Sequence, residues 1–180
     1  MLESGVTVGN SGVVIVSARR SCCTPTNSPK PGGEVQHQVA ELDIARNAWR
    51  PGVLPSAMRA LRAGGTKLAA VPDPVAIPVP LELPGHPVAI YTPGHTPGHT
   101  CFYLPEAGVV ITGDTLVTGH PTSRRDGPQL LMPMFDHDRA GVLSSLDTLA
   151  GLPAEILVPG HCPTWRGPIA DATEQARASA

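Results

Sequence analysis

Short apolar runs broken by glycine and proline set the pattern of this chain. Gly12-Val13-Val14-Ile15-Val16 is β-branched and follows Asn10-Ser11, which predicts a first strand. Val39, Leu42, Ala45 and Ala48 recur at helical spacing until Pro51-Gly52 stops them. Leu54, Met58 and Leu61 place a second helix over residues 55–63, ended by Gly64-Gly65. Beyond Val71 the runs shorten, and residues 75–79, 88–91, 101–104 and 109–111 read as consecutive strands separated by turns. A polar, proline-containing loop covers residues 119–133. Asp138 then caps a helix with apolar positions Val142, Leu143, Leu146 and Leu149, closed by Gly151 and Pro153. Ile156-Leu157-Val158 is one more buried strand, and Ile169, Ala172 and Ala176 mark a final helix. The mixture is α/β, with no solenoid-type repeat.

Composition narrows the class. The 180 residues suit one domain, residues 1–180. Nineteen glycines and 21 prolines favour many turns over a helical bundle, while a hydrophobic fraction of 41% still supplies a core. Residues 21–33 show no periodicity, so residues 1–35 are expected to be atypical or disordered in part. A net charge of −2 gives no electrostatic case for nucleic acid, and the apolar runs are too short for a membrane span. Four cysteines do not make a disulfide scaffold in a chain of this length, and Met1-Leu2-Glu3 opens with an acid where an export signal has basic residues. A cytoplasmic protein with reduced thiols acting on a small molecule is the expectation. The sequence is silent on oligomeric state.

Three places share one local grammar: an apolar strand, a glycine, then a metal-capable side chain. They end in Pro93-Gly94-His95, in Thr112-Gly113-Asp114 and in Pro159-Gly160-His161. Glycine lets the backbone turn sharply as it leaves a sheet and crowd a small site. Two imidazoles and one carboxylate are the mixture that zinc or a similar divalent ion accepts. Pro84-Gly85-His86 offers the same tripeptide before its strand, so His86 reads as a turn residue.

Thr92-Pro93-Gly94-His95-Thr96-Pro97-Gly98-His99-Thr100, then Thr112-Gly113-Asp114-Thr115-Leu116, then Val158-Pro159-Gly160-His161 resembles the metallo-β-lactamase superfamily in its glyoxalase II-like branch. The resemblance covers residues 75–176, with 19 residues from His95 to Asp114 and 47 from Asp114 to His161. It implies an αββα sandwich with a metal centre, often binuclear, at one sheet edge. Carried over, His95 binds a first metal, Asp114 bridges two and His161 binds a second. Zinc is the expected ion, with iron or manganese as alternatives. His99 takes a supporting or pocket-polar role, Thr96 and Thr100 orient neighbours, and His120 lies in the loop where the family builds its substrate pocket.

The family's His-x-His-x-Asp-His motif is absent from this sequence, and His37 is the one histidine before His86. The interval where that motif belongs holds the Cys/Pro/Ser-rich stretch, so the sandwich is expected to be incomplete in its N-terminal half, through a deletion or truncation. Cys22, Cys23, Glu34, His37 and Asp43 are the groups available to fill the gap. Two functional readings stay open. One is a metal-dependent hydrolase of an ester, thioester or related bond, acting through a metal-activated water. The other is a catalytically inactive descendant with at most weak metal binding. The sequence names no further catalytic residue.

Overall fold

The computed structural model describes residues 7–8, 14–15, 41–62 and 81–180. The expected strand at 75–79 and the aperiodic stretch at 21–33 lie outside these residues. β1 (Thr7–Val8) and β2 (Val14–Ile15) pair antiparallel, β2 falling inside the expected first strand. α1 (Glu41–Asn47) and α2 (Val53–Arg62) follow. The rest is a five-stranded sheet in the order β3 (Val88–Tyr91), β4 (Thr100–Leu104), β5 (Val109–Gly113), β6 (Ile156–Pro159) and β7 (Trp165–Arg166). α3 (Arg139–Ala150) connects β5 to β6, and α4 (Ile169–Ala178) follows β7. No helix among the described residues is long and apolar enough to cross a membrane.

The alternation of side chains along each strand decides what is buried. Cys101, Tyr103, Val110 and Leu157 project from one face of the sheet. They pack against Val142, Leu146 and Leu149 of α3 and Ile169, Ala172 and Ala176 of α4, all buried as their helical spacing predicts. The other face carries Phe102, Ile111 and Val158, aligned across three strands and half-buried.

Strand direction positions everything that follows. β4 runs antiparallel to both β3 and β5, and β5 runs parallel to β6. The carboxyl ends of β3, β5 and β6 therefore share one edge of the sheet.

The structure corrects two local expectations, the Asp138 cap and the polar loop at 119–133, and turns the apolar stripe of α2 to solvent: Leu54, Met58 and Leu61 are 53%, 52% and 61% exposed. The helix is anchored instead by its first turn, where Val53 is buried and Gly52 lies against the backbone of Pro121. Leu42 on α1 is exposed as well. Asp138 stands at the start of α3 in extended backbone but makes no side-chain cap bond; its N–H donates to Gly94 O (2.8 Å) instead. Within the expected polar loop, Gln129, Leu130 and Leu131 are buried, because Gln129 bridges antiparallel to Val117.

Candidate metal centre

The three strand ends deliver His95, Asp114 and His161 to one place. Asp114 sits in the middle: its Oδ2 lies 3.4 Å from His95 Nε2 and its Oδ1 3.2 Å from His161 Nε2. The turn presenting it is closed by the Thr112 hydroxyl donating to Leu116 O (2.6 Å) and by Thr115 N–H donating to Thr112 O (3.2 Å). Two glycines are required here. Gly113 has φ +52°, and a Cβ on it would meet His99 Nε2. A Cβ on Gly160 would run into Asp114 Oδ1, so only glycine lets β6 bring His161 alongside; its N–H donates to Gly113 O (2.8 Å).

Electrostatics follow from that arrangement. Burial opposes ionisation of Asp114, but the hydrogen bond and charge of His161, with His95 and His99, outweigh it and hold the carboxyl below its usual range. The same hydrogen bond raises the His161 pKa against partial burial.

Behind Asp114, His99 braces the turn that presents it. Its Nε2 accepts the Asp114 backbone N–H (3.2 Å), which puts the proton of the neutral ring on Nδ1, shared between the hydroxyls of Thr92 (3.0 Å) and Thr115 (2.9 Å). Burial, then the neighbouring His95, push its pKa down to about 4, so the ring is neutral near pH 7. The Thr96 carbonyl accepts from Gly94 N–H and His99 N–H (both 3.2 Å), which shapes the turn between the two histidines. Thr100 donates to Gly98 O (3.2 Å). The hydroxyls that fix His99 are thus those of Thr92 and Thr115.

Asp136, three residues before α3 begins, stands behind His95. Its side chain is 1% exposed, with Oδ1 3.7 Å from His95 Nδ1 and Oδ2 2.6 Å from Arg139 Nη1. His95 Nδ1 is buried and makes no hydrogen bond. The segment around Asp136 is clamped to the His95 loop: His137 N–H donates to His95 O (3.2 Å), Asp138 N–H to Gly94 O (2.8 Å), and the Ser145 hydroxyl to Pro93 O (2.8 Å). The one sequence signal for Asp136 was an arginine three residues on, placed to pair with it.

His120 does reach the centre. Its ring packs 5.4 Å from that of His161 and 5.1 Å from Phe135. Burial, then His161, lower its pKa, and Nδ1 contacts the Thr122 hydroxyl (2.7 Å) and accepts the Thr122 N–H (3.3 Å). It also lines a cleft of about 520 Å³ that includes Trp49. Among the described residues, Cys162 and Asp43 do not join this site. Cys162 adopts φ +69° and turns its sulfur onto Gly119, and Asp43 faces Arg46 on α1. Cys22, Cys23, Glu34 and His37 lie outside the described residues.

Residues 31–161 match the model of the metallo-beta-lactamase superfamily. The chain belongs to that superfamily. A metallo-beta-lactamase family protein from Thermus thermophilus shares its fold, with a TM-score of 0.52 at 22% identity over 88% of this chain and 52% of that one. A protein crystallised in a di-iron-bound form is 34% identical, over 65% of this chain and 57% of that one, with a TM-score of 0.41. Among curated proteins, an atrochrysone carboxyl ACP thioesterase from Aspergillus fumigatus is 36% identical over 73 residues, 41% of this chain. The match spans 19% of that relative's length.

Whether a superfamily metal fits these residues turns on the donors. Two imidazole Nε2 atoms face the two oxygens of one carboxylate, a set that suits borderline divalent ions. Each side of Asp114 offers two protein donors, one short of the three usual at a catalytic zinc. Among the described residues no three His, Cys, Asp or Glu side chains are grouped so that they could hold a metal ion. The set fits in kind and is short in number.

Proposed function

We propose that this chain is a metal-dependent hydrolase of a small-molecule ester, thioester or related bond, working in the cytoplasm. The observation that carries the reading is Asp114, an ionised carboxylate with a histidine Nε2 at each oxygen, at the meeting point of three strand ends. The thioesterase relative, matched over 73 residues, favours an acyl substrate. A divalent ion, when bound, lowers the pKa of water and polarises a carbonyl. His95, Asp114 and His161 would hold it, with zinc first in expectation and iron or manganese after it.

The chain's own residues supply the orientation. His99, neutral and saturated with hydrogen bonds, fixes the Asp114 backbone. Asp136 and Arg139 back the His95 ring, as carboxylates do behind metal-binding histidines. His120 accepts at Nδ1 and so carries its neutral-form proton on Nε2, a donor beside His161.

The two-donor count favours a second reading, a non-catalytic protein holding an ion weakly. One experiment separates them. The chain is loaded with zinc, iron or manganese, metals per chain are counted, and ester and thioester hydrolysis is assayed alongside His95→Ala and His161→Ala. Bound metal with hydrolysis that both substitutions abolish establishes the enzyme. Hydrolysis indifferent to both substitutions, or no hydrolysis with any ion, refutes it.

A further inference from the structure

The cleft that shares His120 with the metal centre has a composition that the centre does not explain. Of the chain's 11 arginines, Arg50, Arg124, Arg125 and Arg139 line it; no aspartate or glutamate side chain does, and the main-chain carboxylate of Ala180 is the one acidic group beside them. In a chain of net charge −2 this is a local concentration of positive charge. Arg139 is engaged by Asp136 and by Leu131 O (2.9 Å). Arg50, Arg124 and Arg125 have no ion-pair partner among the described residues, and the Arg50 guanidinium lies 5.3 Å over the Trp49 ring.

The backbone that carries two of these arginines is stapled. Arg125 N–H donates to the Ser123 hydroxyl (3.1 Å), and the buried Gln129 side chain donates to Arg125 O (2.7 Å) and Gly127 O (3.1 Å). Between this rim and His120 the lining is apolar, from Leu130, Leu131 and Met132. The volume of about 520 Å³ falls within the range of small-molecule sites.

We infer that this cleft is an anion-recognition subsite, which selects acyl substrates bearing a phosphate or carboxylate remote from the reacting bond. The anion sits among Arg50, Arg124 and Arg125, whose planar donors match phosphate and carboxylate oxygens. The apolar part of the ligand runs over Leu130, Leu131 and Met132 toward His120, whose ring is 5.4 Å from that of His161. The inference rests on the hydrolase reading for what the ligand is, though the binding can be measured without turnover.

Octyl phosphate, octanoate and octanol share one chain length and differ only in head group. Each is titrated into the full chain, followed by Trp49 fluorescence, with Trp49→Phe to subtract the signal of Trp165. At least one of the two anions is expected to bind about tenfold or more tightly than octanol, with affinity falling as salt rises. The stronger of the two identifies the head group. Replacing Arg124 and Arg125 together with alanine is expected to remove that preference while octanol binding stays as it was; both side chains are exposed, and circular dichroism checks the fold. Equal affinity for all three probes, or an anion preference that survives the double substitution, overturns the inference. Anion binding without any thioester hydrolysis removes the hydrolase reading alone, and hydrolysis without anion binding removes the subsite alone.

Discussion

His99 shows how much a single side chain is asked to do. It joins Thr92, Thr115 and the Asp114 amide while neutral, with a pKa lowered from 6.5 to about 4. Above pH 6.5 neither the folded nor the unfolded chain carries a proton on both ring nitrogens there. Between 6.5 and 4 only the unfolded chain takes one up, so this site's stability is complete above 6.5 and drains away as the pH falls toward 4, by about 3 kcal/mol at full extent. His99→Gln, which does not titrate, is expected to be less stable at pH 7 and to lose less between pH 7 and pH 4.5, read by urea unfolding. Asp136 makes a different prediction. With His95 Nδ1 buried beside its carboxylate, Asp136→Asn is expected to weaken zinc uptake about 10- to 100-fold, measured by competition with a chromophoric chelator. His95, Asp114 and His161 were legible in sequence because each follows the same strand-glycine signature. Asp136 was not, because it meets His95 only through the folding of the 40 residues between them, and a carboxylate before a helix reads locally as a cap.

At the level of elements, the core rests on α3 and α4 laid across one sheet face. Leu146 is fully buried against that face, so Leu146→Ala is expected to cost about 2–5 kcal/mol, read from the shift in denaturant midpoint. β3 to β6, α3 and α4 were all readable, because strand period and helix period each lasted several residues before a glycine or proline. β7 was not, since Trp165-Arg166 is too short to show any period and exists through pairing with Ile156 and Leu157. The apolar stripe of α2 predicted the helix but not which way that stripe faces. Periodicity reports that a face is apolar; the packing of Gly52 on Pro121 decides where the helix points.

For the whole molecule, the superfamily match over residues 31–161 and the shared fold agree with the resemblance carried by the histidine and aspartate motifs. The aligned Phe102, Ile111 and Val158 lie on the sheet face opposite α3 and α4, where the expected sandwich sets a second sheet. The sequence holds no His-x-His-x-Asp-His, so the donors proposed here come from three loops separated by 19 and 47 residues. On the proposed reading, an ion held by Asp114 together with His95 or His161 rivets otherwise distant stretches of chain. Its binding energy is then folding energy, because the unfolded chain cannot present these groups together. At a hundredfold excess over its dissociation constant such an ion adds about 2.7 kcal/mol, or roughly 5–10 °C in melting temperature for a domain of this size. Calorimetry with and without zinc should show that rise in the native chain and lose it in Asp114→Asn. Heat resistance would then track metal supply, and the molecule's lifetime in a metal-poor setting would be set by the occupancy of a single carboxylate.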